Sequence, residues 1–177
     1  MIKVSIIITT LNSSKTIENT IQIVLNQTYP NIEYIIVDGG STDGNPDIIE
    51  CYRERIARII LQPDQGMYDA MNKGIRSATG DIIGILNSDD FYENKDVITQ
   101  VVNALQSTKA DCLWGDLLGV RKSDVSNVVR VWQSSPYKHG RFSKGWHPPH
   151  PTLLCSKKTI KNMVFIEPIC LRPPTMK

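Results

Sequence analysis

Residues 81–90 read Asp-Ile-Ile-Gly-Ile-Leu-Asn-Ser-Asp-Asp: an apolar run that ends abruptly in two adjacent carboxylates. Three other short runs share its character. These are Val4-Ser5-Ile6-Ile7-Ile8, Tyr34-Ile35-Ile36-Val37 and Ile59-Ile60-Leu61. All are continuous rather than alternating, which predicts strands covered on both faces and hence a parallel sheet. Helical spacing lies between them. Ile17, Ile21, Val24 and Leu25 fall on one face. Asn45 before Pro46 predicts an N-cap opening a helix to about Arg55. Met71, Ile75 and Ala78 mark a helix over 67–77, and Val97, Ile98, Val101, Val102 and Leu105 mark one over 95–106. Strand–helix alternation predicts an α/β domain of three layers. Beyond residue 110 the pattern changes. Residues 112–114 and 128–132 read as strands joined by a polar loop, and regularity fades after 134, where seven of the ten prolines fall within 136–177.

With 177 residues, 41% apolar and 21% charged, the chain is long enough for one domain with a real core. No apolar run approaches the about 20 residues of a membrane-spanning helix, and the N-terminus begins a strand at once. A cytoplasmic location is therefore expected. Cys51, Cys112, Cys155 and Cys170 are widely spaced and read as thiols in a reducing compartment, neither a zinc site nor a disulfide framework. The net charge of +2 conceals an asymmetry. Residues 1–120 hold 9 Lys/Arg against 16 Asp/Glu, and residues 121–177 hold 11 against 2. Two solvated faces account for this, as does a basic flank peripheral to the anionic inner face of a membrane. No nucleic acid partner is expected.

In open parallel sheets, ligands sit beyond the carboxyl ends of the strands. Thr9-Thr10-Leu11-Asn12 follows the first strand, Asp38-Gly39-Gly40-Ser41-Thr42-Asp43-Gly44 the second, and Asn87-Ser88-Asp89-Asp90 the fourth. Asp38 alone reads equally as turn chemistry or as a ligand contact. Three polar clusters on successive carboxyl edges are harder to assign to turns. Adjacent Asp89 and Asp90 repel unless a cation or donors compensate, and Mg²⁺ or Mn²⁺ binds through one or two carboxylates plus substrate phosphates. Asn94 is the better expected cap for the helix that follows. GxGxxG, GxxxxGK[ST] and GxSxG are all absent, which disfavours a nicotinamide-binding domain, a P-loop NTPase and an α/β-hydrolase.

The blocks VSIIITTLN, NQTYPNIEYIIVDGGSTDG, DQGMYDAMNKGIRSATGDIIGILNSDD, WGD at 114–116 and HPPHPT at 147–152 together resemble the family-2 inverting glycosyltransferases, over about residues 1–158. The likeness is greatest to those that assemble capsule, O-antigen and exopolysaccharide. The resemblance implies a GT-A-like, mostly parallel three-layer sandwich and metal-dependent transfer of a sugar from a nucleotide-sugar donor to a glycan or glycan-lipid acceptor. It implies base contacts from Thr9 and Asp38, a ribose or sugar contact from Asp89, and metal binding by Asp90. Lys73 would meet the donor phosphate or sugar, or stand as a solvated lysine. His150 would reach the metal or diphosphate, or simply order its proline-rich loop. His139 and His147 carry no expected role.

The family's catalytic base, an Asp in an ADYE- or ED-like motif beyond the HPPHPT block, has no counterpart here, since only Glu167 is acidic after His150. The catalytic residue is thus unassigned. Residues 159–177 are expected to be irregular. A one-nucleotide frameshift near residue 159 is one expectation, because a permitted coding string for the tail contains ADYE in another frame. The competing reading of function is a truncated remnant that binds nucleotide and metal but transfers nothing. A non-enzymatic interaction module is disfavoured by the acidic edges.

Overall fold

The structure, a computed structural model, describes residues 1–162. The elements in chain order are β1 (Val4–Thr10), α1 (Ile17–Leu25), β2 (Ile32–Asp38), α2 (Asn45–Glu50), β3 (Arg58–Leu61), α3 (Met67–Ser77), β4 (Ile82–Asn87) and α4 (Val97–Thr108). They are followed by β5 (Cys112–Leu113), β6 (Leu117–Arg121), β7 (Asp124–Trp132), β8 (Leu154–Ser156) and α5 (Lys157–Asn162). The main sheet has the order β3-β2-β1-β4-β8-β5. The first four strands are mutually parallel, while β8 runs antiparallel to both β4 and β5. This is the expected α/β architecture with a mostly parallel central sheet.

The continuous apolar runs are explained by burial on both faces. Every residue of β1 is buried. Ile6 and Ile8 enter one core with Ile17 and Ile21 of α1, Ile49 of α2 and Ile98 and Val102 of α4. Ile7, between them, joins Ile35, Val37 and Ile83 under Ala70 and Ile75 of α3. Successive side chains point to opposite faces, so a strand covered twice has no polar positions to spare.

Several local expectations are corrected. Gly44, at φ 85°, takes the N-cap place of α2, and Asn45 is instead buried with its amide turned toward Asp38. The helix expected to reach Arg55 ends at Glu50 and gives way to a 3-10 turn over Arg53–Arg55. Asp96, not Asn94, precedes α4, and Asn94 Oδ1 accepts the Asp96 N–H at 2.9 Å. Residues 112–113 join the main sheet through β8, whereas the partner of β7 is β6, in a separate two-stranded ribbon. Cys112 and Cys155 are register partners across β5 and β8, with Cα atoms 4.1 Å apart, and form a disulfide. The reading of all cysteines as thiols fails because wide sequence spacing says nothing about strand pairing. Cys51 is exposed and free. The irregularity expected from residue 159 does not begin there. α5 continues to Asn162, with Ile160 packed under the α3-side core. Cys170, Glu167 and residues 163–177 lie outside the described residues. Among the described residues no helix is long and apolar enough to cross a membrane.

Candidate functional site

The chain steps from β1 outward through β2 to β3, then returns to the other side of β1 for β4. Strand order therefore reverses between β1 and β4, and their carboxyl ends diverge into a crevice. A cleft of about 420 Å³ opens there, lined by Asn12, Ser13, Asp43, Ser88 and Asp89 among others.

At the end of β2, Asp38 is 1% exposed. Its Oδ1 accepts the N–H groups of Gly40 (2.8 Å) and Ser41 (2.7 Å), and its Oδ2 accepts Asn45 Nδ2 at 2.6 Å. The same amide reaches Thr10 Oγ1 at 3.1 Å. Asp38 is thus the centre of a knot that shapes the loop over 39–45. Gly40 takes φ 101°, which suits glycine. Thr10 lies in register with Asp38, while Thr9 pairs with Val37 and Asn87. Thr10 rather than Thr9 therefore joins the knot, and Thr9 is 5% exposed on the opposite face of the strand.

Beyond β3 lies a residue not singled out from the sequence. The Asp64 carboxylate rests against Gly39 so closely that a Cβ there would overlap it, and its Oδ1 accepts the Gly66 N–H at 2.8 Å. It follows β3 as Asp38 follows β2, so the same carboxyl-edge rule would have found it. Lys73 of α3 donates to the Pro63 carbonyl (2.6 Å) and pairs with Asp69 (3.1 Å). It braces this loop and is not presented to the open crevice. The Lys73 bond and the Gln65 N–H hold Asp69 below its ordinary pKa.

The end of β4 carries the densest chemistry. Thr20 Oγ1 of α1 lies 3.0 Å from the Ser88 carbonyl and 3.1 Å from that of Asp90, and the Asp90 N–H donates to the Asn87 carbonyl at 3.1 Å. Asp89 faces the cleft. Asp90 turns the other way, where Asn87 Nδ2 donates to its Oδ2 at 2.7 Å and lies 3.2 Å from His150 Nε2. Strand pairing brings His150 there. Because β8 is antiparallel to β4, with Ile82 opposite Ser156 and Gly84 opposite Leu154, the residues before Leu154 run toward Asn87. Thr152 secures that approach: its Oγ1 donates to the Gly115 carbonyl at 3.0 Å and accepts the Gly115 N–H at 3.3 Å.

Burial, reinforced by the charge of Asp89, raises the Asp90 carboxyl above its ordinary pKa, against the bonds from Asn87 and the pull of His150. Burial, with a smaller push from His147, lowers His150 despite Asp90, so a neutral imidazole is favoured. A carboxylate and an imidazole lone pair thus share one amide donor, a donor set suited to a divalent cation. Among the described residues no three His, Cys, Asp or Glu side chains converge. Asp90 and His150 could hold a metal ion only with further ligands, such as substrate phosphates supply.

Two curated bacterial relatives and two solved structures are similar to this chain. EpsH of Bacillus subtilis (strain 168) is 32% identical over 141 residues, 77% of this chain and 41% of that protein. A PGL/p-HBAD biosynthesis glycosyltransferase of Mycobacterium bovis is 35% identical over 118 residues, 64% of this chain and 46% of that one. Staphylococcus aureus TarS superposes with a TM-score of 0.70 at 21% identity, over 90% of this chain and 47% of the TarS chain. The mannosyltransferase PcManGT of Pyrobaculum calidifontis superposes at 0.69 and 23%, over 92% of this chain and 46% of that one. At these identities the two structures establish the fold. The chain spans less than half the length of all four. The match to Glycosyl transferase family 2 runs over residues 5–156, from the first strand through the turn that carries His150 to the end of β8, and the chain belongs to that family.

Proposed function

We propose that this site binds a nucleoside-diphosphate sugar and serves the leaving-group side of an inverting glycosyl transfer to a cell-surface glycan or glycan-lipid. The observation that carries the reading is the meeting of Asp90 and His150, far apart in sequence, on the Asn87 amide at the carboxyl end of β4. Two structural neighbours support a nucleotide-sugar donor: TarS was solved with UDP-GlcNAc, and PcManGT with GDP-Man and Mn²⁺.

In this reading the nucleoside occupies the cleft beside Asp89, in a loop framework shaped by Asp38 and Asn45. The diphosphate extends toward Asp90 and His150, which would hold Mg²⁺ or Mn²⁺. The mixed carboxylate and imidazole set suits Mn²⁺ better than Mg²⁺, which prefers oxygen throughout. A divalent ion bound there would take up the charge growing on the leaving phosphate. The bond from the anomeric carbon to the phosphate oxygen breaks as the acceptor oxygen adds from the opposite face, and the acceptor proton passes to a base. Asn87 holds Asp90 and His150 in place. Such chemistry belongs in the cytoplasm, at a membrane face where a lipid-borne acceptor is presented.

Isothermal calorimetry with UDP and GDP, with and without Mn²⁺, tests the donor site. Micromolar to millimolar binding of one nucleotide, tightened by metal, is expected. No binding of either would overturn the reading.

A further inference from the structure

Among the described residues, the ribbon of β6 and β7 pairs only with itself. Its base is fixed. Asp116 Oδ1 accepts Ser134 N–H (2.8 Å) and Oγ–H (2.9 Å), Trp114 Nε1 donates to the Ser135 carbonyl at 3.2 Å, and the Trp132 and His147 rings meet edge to face at 5.5 Å. Its tip is basic, with Arg121 and Lys122 beside one acid, Asp124. That acid is engaged in its own turn, accepting from Ser126 N–H and Oγ–H.

From this tip Lys122 reaches the cleft at the end of β1 and lines it together with Lys15. Among the described residues neither ammonium forms an ion pair, whereas Lys3 is paired with Glu33 and Lys73 with Asp69. Asp89 and Asp43 share this lining without pairing with either lysine, and Asp43 is tied to its own loop. Its Oδ2 accepts the Ser14 N–H at 2.8 Å and its Oδ1 the Asn45 N–H at 3.2 Å. An ammonium group with no ion pair of its own is available to an anionic group that enters the cleft. Aspartates at the strand ends invite a cation, but the lysines on this wall do the opposite.

We propose that Lys122 is a donor-binding residue, carried across the cleft by the ribbon so that its ammonium meets a phosphate of the bound nucleotide. This rests on the assignment of the cleft to a nucleotide and adds a contact from outside the strand-end loops. It gives the ribbon a task that neither pairing nor core packing explains, since β7 is exposed along nearly its whole length.

The test is calorimetry in EDTA, which removes any metal contribution, with uridine, UMP and UDP and with guanosine, GMP and GDP. Wild type, Lys122→Ala and Lys122→Arg are compared. Lys122→Ala is expected to weaken the phosphorylated ligands roughly 3- to 10-fold, to leave the nucleosides unchanged and to flatten the salt dependence. Lys122→Arg should retain most of the affinity. Trypsin cleavage after Lys122 in the wild-type chain should slow when nucleotide is added. Equal affinity of wild type and Lys122→Ala for every phosphorylated ligand overturns the proposal and leaves the nucleotide site standing. Failure of the wild type to bind any of the six in EDTA, and UDP or GDP with Mn²⁺ as well, overturns both.

Discussion

Asn45 shows how much one buried amide can decide. It is fully buried, and its Nδ2 is the group that meets Asp38 Oδ2. Truncation would leave a buried carboxylate oxygen without that donor, and loss of a hydrogen bond to a charged group costs about 1.5–3 kcal/mol. Asn45→Ala should lower the urea midpoint accordingly and weaken nucleotide binding through the 39–45 loop. An unchanged midpoint would remove Asn45 from the knot. Glu33, at the opposite end of the sheet, has a different consequence. Burial would raise its pKa, but bonds from Ser5 Oγ, Thr79 Oγ1, Thr79 N–H and Lys3 Nζ outweigh it and hold the carboxyl at about 2, against 4.5. A depressed folded-state pKa stabilises the protein fully above the unfolded value, and that contribution is lost as pH falls from 4.5 toward 2. It amounts to about 3 kcal/mol. Urea unfolding between pH 6 and pH 2.5 should show this loss in the wild type and a flatter profile in Glu33→Gln. Equal pH slopes would contradict it.

At the scale of elements, the site depends on β8 lying against β4. Gly84 makes that possible, because a Cβ there would come within 3.0 Å of Leu154 Cγ and 3.2 Å of Ile6 Cδ1. Gly84→Val should overpack the contact, cost about 1–3 kcal/mol, and displace the turn that carries His150. Metal-dependent nucleotide binding should fall while metal-free binding survives in the folded variant. Preserved metal dependence would show that β8 does not position His150. The four parallel strands were legible because each is a continuous apolar run that needs no partner information. β8 was not: Leu154-Cys155-Ser156 has neither length nor periodicity, and its place follows from pairing alone. For the same reason the disulfide was missed and β5 was given the wrong neighbour. The family resemblance put Asp90 and His150 at one metal, but the strand pairing that brings them to a shared amide was not legible. Asp38, an aspartate before two glycines, bonds its own turn and the Asn45 amide, and the second of these partners had no signal in the sequence.

At the scale of the molecule, the acidic first 120 residues and the basic remainder meet at the cleft. Asp43 and Asp89 come from the strand-end loops and Lys122 from the ribbon, so part of the charge asymmetry converges on one place. Family membership and the parallel sheet explain the crevice, and the pairing of β8 with β4 brings His150 to Asn87. The central claim, that Asp90 and His150 together hold a divalent ion with the donor's phosphates, is tested most directly by electron paramagnetic resonance of Mn²⁺. Free Mn²⁺ gives a six-line signal that fades as the ion is bound. With wild type and the nucleoside diphosphate it binds, UDP or GDP, the signal should fade. With Asp90→Asn and His150→Ala, each verified as folded, it should remain close to that of Mn²⁺ and nucleotide alone. Equal loss of signal in wild type and both variants would contradict the account.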